Sequence, residues 1–176
     1  MRKWILLASL VVLGLLCLFS GTLFPETPVD EKSIPEFSSA DIAWMLVSSA
    51  MVLIMTPGLG FFYGGMVRKK NVISTILQSF IAMGVITVVW VVIGFGLAFG
   101  DSIGGIIGNP SKFLFFSNVG TKSAWSLAPT IPLILFAVFQ MKFAIIAPAL
   151  IAGAFAERGR FWGYLLFIIL FSLFIY

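Results

Sequence analysis

Residues 55–71, MTPGLGFFYGGMVRKKN, decide the fold, because a proline, four glycines and two phenylalanines lead directly into three consecutive cations. Residues 44–67 hold 24 positions without a single charge. As a helix, such a run is about 36 Å long, which exceeds the roughly 30 Å hydrocarbon core of a bilayer. We therefore predict a membrane span over about 42–67 that ends at the cations.

The composition supports a membrane protein. The 176 residues are 60% hydrophobic and 10% charged, with a mean hydropathy of +1.11, whereas soluble domains are typically about 25% charged. The formal charge of +4 is spread between apolar runs, which does not favour nucleic acid as a partner. The chain has no histidine and one cysteine, Cys17, so an intrachain disulfide and a zinc site of the Cys/His type are excluded. We expect no enzymatic activity, no cofactor and no metal.

The amino terminus has the pattern of a signal peptide over residues 1–21. Arg2 and Lys3 precede an apolar run, and Ser20 and Gly21 end it, as in secretory signals. An uncleaved anchor is the alternative, because bulky side chains stand where a small residue is preferred before the cleavage site. Residues 22–40 carry five charges and three prolines, which predicts a polar, extracytoplasmic linker.

Three further spans are expected beyond the cations, at about 71–100, 131–156 and 161–176. We expect Asp41 to cap the first span. Between the second and third spans, residues 101–130 form a loop whose apolar segment 113–116 should fold back onto the protein.

Short basic loops predict the orientation. Residues 68–70 and 157–160 hold five of the Lys and Arg residues, and the long loop between them holds two. Because cations are retained on the cytoplasmic side, both basic loops should be cytoplasmic, with the mature amino terminus outside a cytoplasmic (inner) membrane.

The glycines of the first span allow two interpretations. Gly60 and Gly64 form a small-xxx-small pair, which favours close packing of helices. Alternatively, a thin helix kinked at Pro57 leaves room for a path through the membrane, with Phe62 and Tyr63 turned toward it.

The third span carries a phenylalanine stripe and one buried charge. Phe136, Phe139 and Phe143 recur at helical spacing, and such a stripe either packs against lipid or core, or attracts a cation to its ring faces. Lys142 lies near mid-membrane, at a cost of about 2.5–3.5 kcal/mol. It is either paired structurally or directly functional. Since the sequence places no carboxylate at that depth, we hypothesise a partner acid outside this sequence.

Three blocks in order then resemble a known family. TPGLGFFYGGMVRKKN at 56–71, WVVIGFGLAFG at 90–100 and FQMKFAIIAPALIAGAFAER at 139–158 are similar to the ammonium transporter, methylammonium permease and Rhesus protein family. The resemblance implies an all-α polytopic membrane fold of eleven helices with inverted repeats. It also implies a homotrimer with one pore per subunit. Residues 41–176 would then be the amino-terminal part of that domain, truncated to about four helices.

The resemblance also assigns roles to residues. Phe139 matches the phenylalanine that recruits ammonium, Phe143 matches one member of the phenylalanine gate, and Phe62 is similar to the phenylalanine at the inner pore mouth, beside Tyr63. Lys142 departs from the uncharged residue found in many members. The implied partners are ammonium or ammonia as substrate, the lipid bilayer and a PII-type cytoplasmic regulator. The alternative function is an ammonium sensor that couples the same fold to a cytoplasmic signalling domain.

Overall fold

The computed structural model describes residues 36–176, which are mostly helical. The predicted signal peptide and most of the predicted linker lie outside the described residues. Within these described residues, five α-helices follow one another: α1 Ser39–Met66, α2 Val72–Val89, α3 Phe95–Phe99, α4 Leu133–Phe155 and α5 Phe161–Phe174.

Helix α1 is the predicted first span. Its Ser38 cap accepts a hydrogen bond at Oγ from the Asp41 backbone N–H, at 3.3 Å. Asp41 therefore lies in the first turn instead of at the cap, where its negative charge favours the positive end of the helix dipole. The helix continues through Pro57, and then ends ahead of the cations as expected.

The second span is one long run with three kinds of helical turn. A 3₁₀ turn, Lys69–Asn71, leads into α2, and a π-helical segment, Trp90–Gly94, joins α2 to α3. The run Lys69–Phe99 contains 31 residues. Its length matches the uncharged stretch in the sequence, but the π segment was not predicted.

The connection after α3 has more structure than the predicted loop. It contains two antiparallel hairpins, made by β1 Ser102–Ile103 with β2 Ile107–Gly108 and by β3 Ala124–Trp125 with β4 Ala128–Pro132. Between them lie two 3₁₀ turns, Pro110–Lys112 and Leu114–Phe116. Phe113 is only 3% exposed and belongs to the core, so the predicted folding-back of this apolar segment is confirmed.

Helices α1, α2–α3 and α4 are each long and apolar enough to cross a bilayer, and α5 is a shorter apolar helix. Because the basic turn after α1 is bonded to the turn after α4 (below), these two helix ends lie on the same side of the bundle. The protein is a multi-pass membrane protein whose core lies chiefly between α2, α4 and α5.

The glycine pair of α1 lies against α2. A β-carbon at Gly60 would lie 3.2 Å from the Ser79 β-carbon, and one at Gly64 would lie 2.9 Å from Ile76 Cγ1. Gly58 and Gly65 face open space. The small-xxx-small interpretation is therefore confirmed for Gly60 and Gly64, because both lie in close contact with α2. A β-carbon at Gly64 would force Ile76 to shift, whereas one at Gly60 would require Ser79 to move by only a few tenths of an ångström.

Candidate functional site

Phe139 and Phe143 meet on α4 as the sequence predicts. Their ring centroids are 5.2 Å apart and the rings are inclined by 72°, an edge-to-face arrangement typical of attractive aromatic pairs. Phe143 is 39% exposed and Phe139 is half-buried. The pair thus presents ring surface that remains accessible within the described residues, which is the requirement for attracting a cation to a ring face.

Phe136 belongs to a different group of rings. It stacks on Trp125 at 6.0 Å with an angle of 11°, and it contacts Phe99 edge-on at 5.1 Å. Both partners come from the connection side of the molecule, since Trp125 lies in β3 and Phe99 ends α3. The three phenylalanines that share helical spacing are therefore divided by the tertiary structure: Phe136 anchors the connection to α4, and Phe139 and Phe143 form the accessible pair.

Phe62 and Tyr63 occupy the last part of α1. Their rings lie 5.5 Å apart, and Phe62 is 61% exposed. The Tyr63 hydroxyl donates a 2.7 Å hydrogen bond to the Leu150 carbonyl oxygen of α4, and its ring lies against Gly153, where a β-carbon would be 2.7 Å from Tyr63 Cε1. Tyr63 thus joins α1 to α4, while Phe62 remains available.

Lys142 lies between Phe139 and Phe143 along α4, directly before Phe143, and is half-buried. Within residues 36–176 its ammonium group makes no hydrogen bond or ion pair with another side chain. The charge is thus uncompensated within residues 36–176, and a partner acid outside this sequence stays a hypothesis.

The basic end of the bundle is organised by Glu157. Its Oε1 accepts a hydrogen bond from the Arg68 backbone N–H at 2.7 Å and another from Asn71 Nδ2 at 3.0 Å, and Arg68 Nε lies 3.9 Å from Oε2. The Asn71 amide, followed by the Arg68 backbone N–H and the nearby cations, holds the pKa of Glu157 below its ordinary value. Glu157 has a φ of 64°, a strained left-handed conformation for a non-glycine residue, so these bonds offset a local cost.

Similarity to known proteins agrees with this architecture. Residues 43–176 match the model of the Ammonium Transporter Family. The chain belongs to the ammonium transporter family.

Several ammonium transporters are similar in sequence to this chain. An ammonium transporter of Mycobacterium tuberculosis is 48% identical over 149 residues, which cover 77% of this chain and 31% of that protein. One from Aquifex aeolicus is 41% identical over 145 residues, which cover 80% of this chain and 33% of that protein. The chain therefore spans about a third of the length of these relatives.

Solved structures of the family match the fold. Mep2 of Saccharomyces cerevisiae is similar with a TM-score of 0.71 and 36% identity, over 80% of this chain and 31% of that one. Mep2 of Candida albicans has a TM-score of 0.67 and 30% identity, over 82% of this chain and 30% of that one. The ammonium-transporter fold, suggested by the sequence blocks, is confirmed.

Two features of this site were not predicted as such. The indole N–H of Trp90 donates a hydrogen bond to the Ala137 carbonyl oxygen of α4, a contact that the position of Trp90 in an uncharged run does not reveal. Glu157 was predicted only to mark the end of a span, and its hydrogen bonds with Arg68 and Asn71 were not predicted. Within residues 36–176, no three His, Cys, Asp or Glu side chains come together as metal ligands would.

Proposed function

We propose that the protein carries ammonium or ammonia across a cytoplasmic membrane, with this chain supplying one wall of the path. The observation that supports the proposal most directly is the accessible Phe139–Phe143 pair on a membrane-spanning helix of an ammonium-transporter fold. A ring face attracts an ammonium-type cation by about 0.5–2 kcal/mol, more as water is removed. Phe139 recruits the cation and Phe143 is one side of the gate behind it.

The remaining assignments belong to the same proposal. Phe62, exposed at the basic end of α1, borders the inner mouth beside Tyr63. The basic turns after α1 and α4 are cytoplasmic, so the mature amino terminus is outside. The working assembly is a homotrimer, and its cytoplasmic face is the surface available to a PII-type regulator.

Uptake of labelled methylammonium tests the transport proposal. The protein, as its gene encodes it, is expressed in cells that lack their own ammonium transporters. A second sample replaces the matching segment of the Mycobacterium tuberculosis relative with residues 43–176 of this chain. Uptake by either protein is the expected result. Correctly assembled, membrane-inserted protein without uptake in both samples would refute transport.

Substitutions in the aromatic pair refine the test. Phe139→Leu should raise the apparent KM, because an aliphatic side chain has no quadrupole to attract the cation. Phe80→Leu is the matched control, since Phe80 is 43% exposed on α2 and makes no ring contact with another described residue. Equal uptake by both variants would remove Phe139 from the recruitment site.

The alternative function, ammonium sensing, draws on Lys142. Its ammonium group, which has no side-chain partner among residues 36–176, would repel a cation arriving at Phe143, and such a repulsion opposes rapid transport. Sensing predicts an ammonium-dependent signal in cells in which uptake is undetectable, whereas transport predicts uptake without any added signalling partner.

A further inference from the structure

The buried tryptophan of the second span contacts α4 just before the aromatic pair. Trp90 is 1% exposed, and its indole Nε1 donates a 3.1 Å hydrogen bond to the Ala137 carbonyl oxygen. In an α-helix that carbonyl also accepts from the backbone N–H four residues later, so the indole is an additional, cross-helix donor. Ala137 lies two residues before Phe139 on the same turn of α4.

The indole is held rigidly. Its ring meets Phe95 at 5.9 Å and Phe99 at 6.3 Å, both edge-on. A β-carbon at Gly94 would lie 3.1 Å from Trp90 Cε3, so the backbone there passes close to the ring face. Ala137 itself is completely buried and small, which lets the indole reach the α4 backbone.

Trp90 also begins the π-helical segment, where the Phe95 N–H donates to the Trp90 carbonyl. An i to i+5 bond places an extra residue in one turn, and such bulges are frequent at functional sites. Here the bulge brings Trp90 and Phe95 into contact with each other, so the tryptophan is fixed from its own helix as well as from α4.

We propose that Trp90 is a positioning residue for ammonium recruitment, which sets the turn of α4 that presents Phe139 through the bond from its indole N–H to the Ala137 carbonyl. The expected effect of Trp90 on uptake rests on the proposed function. The position of Trp90 against the α4 backbone does not depend on that function. Trp90 touches neither ring of the pair; it acts on the backbone that carries them.

The test replaces Trp90 with 3-benzothienylalanine, an isostere in which sulfur takes the place of the N–H group. Ring volume is retained and the donor is lost. Hydrogen bonds between membrane helices average about 0.6 kcal/mol, which corresponds to roughly a threefold rise in the KM for methylammonium if the bond is fully coupled to recruitment. The maximal uptake rate per molecule should stay unchanged, because recruitment of the cation determines the KM and does not affect its passage once it is bound.

Tyr164→Phe is the matched control. The Tyr164 hydroxyl donates a 3.4 Å bond to the Gln78 carbonyl, so this variant also loses a cross-helix hydrogen bond to a backbone carbonyl, but between α5 and α2. Its KM should equal that of the unsubstituted protein. An equal rise in KM in both variants would show a general loss of packing and overturn the proposal.

A spectroscopic measurement separates this inference from the proposed function. 4-Fluorophenylalanine at position 139 reports the ring environment by ¹⁹F NMR in the intact protein, and Trp90→Phe should shift its resonance while Tyr164→Phe should not. An unshifted resonance together with an unchanged KM would overturn the positioning role and leave transport standing. If the unsubstituted protein shows no uptake, transport falls, and the ¹⁹F shift alone then supports or overturns the positioning of Phe139.

Discussion

Two adjacent glycines of α1 should respond oppositely to the same substitution. Gly64→Ala places a β-carbon 2.9 Å from Ile76 Cγ1 and 3.2 Å from Ile76 Cδ1, whereas Gly65→Ala places it in open space. Each change should raise the free energy of unfolding by about 0.5–1 kcal/mol, because alanine loses less conformational freedom than glycine when it enters a helix. Only Gly64→Ala also overpacks the interface, at a typical cost of about 1–3 kcal/mol.

The difference between the two variants isolates the clash, because helix propensity contributes equally to both. Gly65→Ala should raise the free energy of unfolding by about 0.5–1 kcal/mol, and Gly64→Ala should have a value about 1–3 kcal/mol below that of Gly65→Ala. The assay is unfolding of the detergent-purified protein by SDS, followed through helicity by circular dichroism.

A second substitution at the contact checks the cause. Ile76→Ala removes both atoms that Gly64→Ala would meet, so in the double variant the two effects should be less than additive, with a coupling energy of at least about 0.5 kcal/mol. Indistinguishable stabilities for Gly64→Ala and Gly65→Ala would refute the reasoning, since they would mean that α1 does not approach α2 closely at this position.

Three further predictions concern α4 and its end. The pKa of Glu157 is lowered, first by the hydrogen bond from Asn71, so the ionised carboxylate stabilises the fold above pH 4.5, its ordinary pKa, and this stabilisation is lost as the pH falls through the lower folded pKa. Glu157→Gln should therefore make the free energy of unfolding depend less on pH between pH 7 and 3. An unchanged fall in stability at acid pH would contradict the assignment. Gly153→Ala should displace the Tyr63 ring and lower the free energy of unfolding by about 1–3 kcal/mol, as measured by SDS unfolding. In a protein that already carries Tyr63→Leu, Gly153→Ala should lower it much less. An equal loss of stability in both backgrounds would argue against this contact. Lys142→Met should lower the KM for methylammonium about fivefold if a repulsion of about 1 kcal/mol is removed, and an unchanged or higher KM would place the charge away from the path.

The hydrophobic pattern was enough to predict the helices. Water cannot satisfy backbone groups inside a bilayer, so uncharged runs of sufficient length must be helical. The long helices of the structure begin and end within a few residues of the apolar runs in the sequence. The helix cap was predicted less well, because Ser38 and Asp41 are both good capping residues and only local backbone geometry chooses between them.

The sequence determined the membrane class, the order of the spans, the small-residue face of α1 and the pairing of Phe139 with Phe143, because all of these depend on local periodicity or on composition. Only the tertiary structure decided that Phe136 stacks on Trp125 and that Trp90 reaches Ala137. It also decided that Glu157 binds Asn71 and Arg68, which lie 86 and 89 residues earlier in the chain. The physical reason is that these contacts connect different helices. Helical spacing fixes which side chains share a face, but the partner of that face depends on how the helices pack together.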